Sequence, residues 1–258
     1  MIGVITLGLF VIVSSVVGLR LLWTAAHGGG AAAWTCGLHF TCIGMIAYPA
    51  VTIAGVGVLP VGEVNLALGA VGSVFMAAGV SACFFFTVMA FRRSDAWAWV
   101  LAGSSTLALT VGAFSQIGAL ATADPAMASG DAVRSWTHLI VGFSTLSQAW
   151  SGFEGLSEWR RARRRVALGL TDPVVANRIF LWGFNGFAMS CLNVLVVTWT
   201  LQSVNIGASL SAQLVILVFE TISCITITLA FFPTEMWKNW VRARSHRAHA
   251  YARQVQGA

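Results

Sequence analysis

The chain has 258 residues, of which 57% are apolar types and only 9% are charged, with a mean hydropathy of +0.80. Soluble domains carry about a quarter charged residues, so this composition excludes an ordinary soluble protein, a disordered chain and a nucleic-acid-binding module. What remains is a polytopic membrane protein, whose net charge of +6 is a feature of the membrane surface.

Asp, Glu, Lys and Arg are absent from 1–19, 21–62, 64–91, 96–123, 135–153, 179–219 and 221–234. About 20 apolar residues cross the hydrocarbon as a helix, whereas barrel strands are ~10 residues long and alternate. The expected fold is therefore all-α. Seven transmembrane helices are placed at about 2–23, 35–59, 64–91, 96–121, 135–159, 174–201 and 209–232. The bundle occupies 1–233, and 234–258 forms a basic cytoplasmic tail.

No basic residue precedes the first span, and Arg20 follows it, which favours an anchor over a signal peptide cleaved after Ala31-Ala32-Ala33. His27-Gly28-Gly29-Gly30 breaks the chain before the second span, which Pro49 should bend. In the third span Gly69, Gly72, Met76, Gly79 and Cys83 form a packing stripe. Gln116 is the buried amide of the fourth. The fifth places Gly142, Ala149 and Gly152 on one face with His138 and Thr145, and also carries Gln148. An inner connection from about Arg160 to Asp172 follows. Its Arg160, Arg161, Arg163, Arg164 and Arg165 are expected to attract anionic lipid headgroups.

Thr171 or Asp172 caps the sixth span and Pro173 fills its first turn. This span carries Arg178, Asn185 and Asn193. In the seventh, Ser209, Gln213, Glu220 and Ser223 share one helix face. Beyond it, Met236, Trp237, Trp240 and Val241 oppose Lys238 and Arg242, the pattern of a short interfacial helix, with fraying from His249.

With the amino terminus outside, 14 of the 15 basic residues fall on the inner side and only Arg134 outside. The positive-inside rule thus gives N-out, C-in. Trp23, Trp34, Trp97, Trp136, Trp159, Trp199 and Trp237 fall near span ends, as an aromatic belt requires.

Glu220 is the sharpest candidate for chemistry, because an ionisable side chain near mid-membrane is costly and by default functional. It reads as a proton- or ligand-binding carboxylate, with Gln213, Asn185 and Gln148 as companions. The plainer reading is that all four are polar glue between helices. No cofactor is expected. The only lysine, Lys238, lies beyond the seventh span, so none forms a Schiff base with retinal, and His39 and His138 sit at opposite ends and cannot pair on haem. Ser151, His39 and Glu154 lie at similar depth, but no nucleophile motif accompanies them.

The seven-helix topology resembles rhodopsins and seven-helix receptors. The third span, however, ends Phe91-Arg92-Arg93 without an acidic-Arg-aromatic triplet, and the seventh lacks Asn-Pro-x-x-Tyr. The expected function is receptor- or sensor-like: binding of a small lipophilic ligand, or of a cytoplasmic protein partner at the basic inner face. The alternative is a transporter or proton-coupled carrier using Glu220, and a membrane enzyme has the weakest support. Arg outnumbers Lys, which points to a GC-rich bacterial genome and the inner membrane. The sequence leaves the oligomeric state open.

Overall fold

The computed structural model describes residues 2–55, 63–122, 131–202, 204 and 209–256. Among these, every regular element is helical: α1 (Ile2–Thr24), α2 (Gly30–Phe40), α3 (Tyr48–Gly55), α4 (Glu63–Phe91), α5 (Ala96–Thr122), α6 (Asp131–Ala167), α7 (Pro173–Leu201), α8 (Leu210–Phe231) and α9 (Glu235–Gln256). Five stretches are long and apolar enough to cross a membrane: Leu7–Ala54, Leu66–Phe91, Ala96–Ala119, Pro173–Leu201 and Leu210–Phe231. The architecture is that of a helical membrane protein. The first stretch holds both of the first two expected spans. The expected span at 135–159 lies in α6, where Ser, Gln and His dilute the apolar residues. The expected outer loop around Asp124 lies outside the described residues, as do 56–62 and 205–208.

Two interruptions shape the first helical stretch. At Ala25–Gly29 the backbone leaves helical geometry, with φ +99° at Gly28 and φ +78° at Gly30, values that suit residues without a Cβ. Between α2 and α3 a π-wide turn covers Thr41–Ala47, and the Tyr48 N–H reaches back five residues to Ile43 O. Pro49 explains it. Proline has no N–H for the Met45 carbonyl, and a wider turn just before the ring relieves the clash.

The remaining helix ends follow local chemistry. α7 starts as its sequence predicts, with the Val174 N–H donating to Asp172 Oδ1 at 2.9 Å and Pro173 in the first turn. α6 departs from expectation by continuing through the arginine run, which therefore stands on a helix rather than in a loop. Arg and Ala are good helix formers, and the helix stops only at Gly169 (φ +71°), where the Leu170 N–H bonds to Arg165 O at 2.9 Å. The tail helix α9 is longer than the short interfacial segment its pattern suggests, for the same reason of composition.

Around the molecule the neighbours run α1, α2, α4, α6, α7, α8 and back to α1, a closed ring, with α5 outside against α4 and α6. The α6–α7 contact is the tightest. A Cβ on Gly186 would lie 2.7 Å from Gln148 O and 2.8 Å from Gly152 Cα, and one on Gly155 would lie 2.9 Å from Gly183 Cα. Small residues let these backbones touch. The stripe of α4 works in the same way, with Gly72 against Val51 and Gly79 against Ile43. One apolar core joins Ile43, Val80, Phe84 and Val88 to Ala98, Ala102, Leu109 and Ile140. A second joins Val17, Cys36, Phe40, Trp182 and Ile227.

Candidate functional site

One face of α6 carries Ser144, Ser147, Gln148, Ser151 and Glu154, and each meets a different part of the ring. Asn193 Nδ2 donates to Ser144 Oγ at 3.1 Å, and Ser147 lies beside Cys83 of α4. Trp182 Nε1 donates to Ser151 Oγ at 2.8 Å, and Arg92 Nε donates to Glu154 Oε1 at 2.9 Å. Gln148 Nε2 lies 3.4 Å from His39 Nε2, while His39 Nδ1 lies 2.8 Å from the Gly79 carbonyl. A carbonyl only accepts, so the His39 proton sits on Nδ1 and Nε2 accepts from the amide. Gln148 Oε1 is buried and, among the described residues, has no hydrogen-bond partner.

Beside this layer the ring is filled with aromatic side chains. Trp182 meets Phe86 at 4.7 Å, Phe231 at 5.7 Å and Phe40 at 6.3 Å between ring centroids, all edge-on. The cluster reaches the end of the bundle that carries arginines. There the Arg20 guanidinium lies 4.4 Å over the Phe232 ring, and Arg178 Nε donates to Ala230 O.

Glu220 lies on α8 with Oε2 buried and, among the described residues, unbonded. It is within electrostatic reach of Tyr48 and Cys224. Ser223, one turn on, is buried and sets this face toward the interior. Asn185 is buried too, and Thr226 Oγ1 donates to its Oδ1 at 3.3 Å. Thr226 is six residues beyond Glu220, about 9 Å along the axis. The structure thus ties Asn185 to the helix of Glu220 and Gln148 to His39, and neither amide bonds to the carboxylate. Gln213 is half-buried on α8.

Arg160, Arg161, Arg163, Arg164 and Arg165 are all exposed at the end of α6. Arg161 pairs with Glu158 at 3.3 Å, and Arg163 lies over Trp159 at 5.2 Å. Close by in sequence, Asp172 Oδ2 accepts from Arg242 Nη2 at 2.8 Å, joining the cap of α7 to α9. The Arg242 guanidinium, then the Val174 N–H, hold the Asp172 carboxyl below its ordinary range.

Ser151 and His39 face different partners, so the structure forms no Ser–His pair. Among the described residues no three His, Cys, Asp or Glu side chains gather as metal ligands. The buried His39, Trp182 and Glu154 and the more exposed Tyr48 and Arg92 have no role assigned from the sequence. The signal for Glu154, and for the partners of His39 and Trp182, is the α6 polar face, whose spacing of three, one, three and three is legible in the sequence. Comparison with protein-family models, with curated proteins and with solved structures finds no match to this chain.

Proposed function

We propose that the protein is a seven-span receptor-like sensor of a bacterial inner membrane, amino terminus outside and carboxyl terminus inside. It binds a small lipophilic ligand and passes the change to a cytoplasmic partner at its basic inner face. The observation that carries this reading is the closed ring of α1, α2, α4, α6, α7 and α8 around a layer of polar side chains on α6, bonded to α2 through His39 and to α7 through Trp182 and Asn193. Rearranging one bond of such a layer shifts a whole helix, because packed interfaces move between discrete arrangements. The exposed arginines of α6 and the neighbouring α9 supply the inner face, where anionic lipid headgroups also gather. The second reading, a proton-coupled carrier, is favoured by the buried, unbonded Oε2 of Glu220.

Two measurements test these readings. Reporter fusions after Gly130 and after Ala258 are expected on opposite sides of the membrane, and finding both on one side ends the topology. Thermal unfolding of the purified protein against a panel of lipophilic compounds then tests the sensor. A ligand of the interior raises Tm in the wild type and not in Gln148→Ala or Asn185→Ala. Proton uptake into proteoliposomes that disappears in Glu220→Gln moves the assignment to the carrier.

A further inference from the structure

Two arginines from different helices converge on the last turn of α8. Arg20, near the end of α1, holds its guanidinium 4.4 Å over the Phe232 ring. Arg178, near the start of α7, donates through Nε to Ala230 O. Ala230 and Phe232 are two residues apart, about 3 Å along the axis and on opposite sides of the helix. The end of α8 therefore stands between two cations, at the place where α1 meets α8 and the ring closes.

These two differ from the other basic residues. Arg92, Arg161, Lys238 and Arg242 each pair with a carboxylate. Arg163 and Arg244 lie over a tryptophan of their own helix. Arg20 and Arg178 are pinned to a neighbouring helix instead, and among the described residues neither has a carboxylate partner. The C-terminal carbonyls of α8 attract them and account for part of this. That attraction occupies one of the five N–H groups of Arg178, and the ring contact of Arg20 uses a face and no N–H edge.

Both arginines are exposed, so their remaining N–H edges are open to a ligand. Two positive charges held beside one turn repel, and an anion reaching both relieves the repulsion. Guanidinium edges take phosphate oxygens in pairs, and headgroup phosphates gather where basic side chains end a span. Apolar surface for acyl chains adjoins the pair. Ile225, two turns before Phe232 on the same face of α8, is 54% exposed, as are Val16 (57%) and Leu19 (49%) of α1.

We infer that the end of α8, between Arg20 and Arg178, binds the phosphate of one anionic phospholipid, which ties α1 and α7 together across α8. The inference rests on the membrane-spanning reading and adds a single defined site to the diffuse attraction of the α6 arginine run.

The test uses the full chain in neutral detergent, titrated with dioleoyl phosphatidylglycerol and, separately, with dioleoylglycerol, the same chains without phosphate. Native mass spectrometry should show one phosphatidylglycerol bound ahead of all others, and no such step for dioleoylglycerol. Arg20→Gln and Arg178→Gln should each weaken that first binding about 10-fold or more, the worth of a charged hydrogen bond. Arg178→Lys, which keeps the charge and loses the fork, should fall between wild type and Arg178→Gln. Replacing the five arginines of α6 with Gln should leave the first site unchanged, and glycerol 3-phosphate should not compete for it.

First binding that survives unchanged in both Gln variants overturns the site. Equal weakening in the five-Gln variant overturns it in favour of diffuse charge. Competition by glycerol 3-phosphate at the affinity of the lipid overturns the lipid in favour of a soluble phosphate. If a Gln variant fails to fold, Arg20→Lys and Arg178→Lys decide, and wild-type affinity in both overturns the paired-edge geometry. Any of these results with the reporter fusions still on opposite sides leaves the seven-span reading standing.

Discussion

Arg92 and Glu154 fasten α4 to α6, with Nε and Oε1 2.9 Å apart. The Glu154 side chain is 7% exposed and also receives Trp150 Nε1 at 3.3 Å, whereas Arg92 is 30% exposed and reaches Asp95 at 3.2 Å. Glu154, then Asp95, holds the Arg92 guanidinium above its usual range. Removing the arginine strands a buried carboxylate. Breaking a fully buried pair costs about 3–5 kcal/mol, and partial solvation here brings Arg92→Met to about 2 kcal/mol. The double variant Arg92→Met with Glu154→Leu should recover most of the loss. Thermal unfolding in micelles gives both numbers, and an unaltered Tm for Arg92→Met would refute the fastening.

The glycine contacts give a contrast within one residue type. Gly186→Leu should cost at least about 3 kcal/mol or prevent folding, because even a Cβ there meets backbone at under 3 Å. Gly103 of α5 has nothing within 4 Å. Gly103→Ala should be neutral or gain up to about 1 kcal/mol from helix propensity. Equal effects in the two variants would show that the α6–α7 contact is looser than described.

The tail carries an acid-sensitive link. Asp172 is held below its ordinary range by Arg242, so the contact is complete above the ordinary aspartate pKa of about 4. As pH falls through the depressed value, Asp172 takes up a proton and the link to α9 weakens. A spin-label distance between α7 and α9 should lengthen on acidification below about pH 4, and Asp172→Asn should show the longer distance at neutral pH. A distance that ignores both changes refutes the link.

Replacing Arg160, Arg161, Arg163, Arg164 and Arg165 with Gln should weaken binding to anionic vesicles, by about 1 kcal/mol for each arginine that lies near the lipid surface. Vesicle flotation at several salt concentrations measures it. Unchanged flotation would assign the run to a protein partner instead.

Glu220→Gln should leave the bundle folded, because the carboxylate makes no Oε2 hydrogen bond that an amide would break. Loss of a pH-dependent signal in that variant marks a proton or ligand site. An unchanged signal together with an unchanged Tm marks glue.

Much of this was legible in the sequence where one local rule decides the outcome. Asp172-Pro173 starts α7 because a cap and a fixed φ act within one turn, and the α4 stripe packs because small side chains at three- and four-residue steps stay on one face. The failures are non-local. Of the predicted α6 stripe Gly152 meets α7, but a Cβ on Gly142 would have nothing within 4 Å, while Gly155 and Gly183 carry the contact further. Which glycine meets another helix depends on the crossing point, and spacing does not give that. The pairing of Gln148 with His39 joins residues 109 apart. It depends on the ring order, which a single sequence does not state. Charge marks the membrane edge and so suggests a connection at the arginine run, but a helix does not end where the lipid does.

The π-wide turn at Thr41–Ala47 stands between two polar patches, His39 with Gln148 on one side and Tyr48 with Glu220 on the other. An extra residue in one turn of a helix is a dislocation, and it turns everything beyond it by about 100° relative to an uninterrupted α-helix. The wide turn is therefore a fixed joint between two half-axles, and it sets the direction Tyr48 faces separately from the face that holds His39 on Gly79.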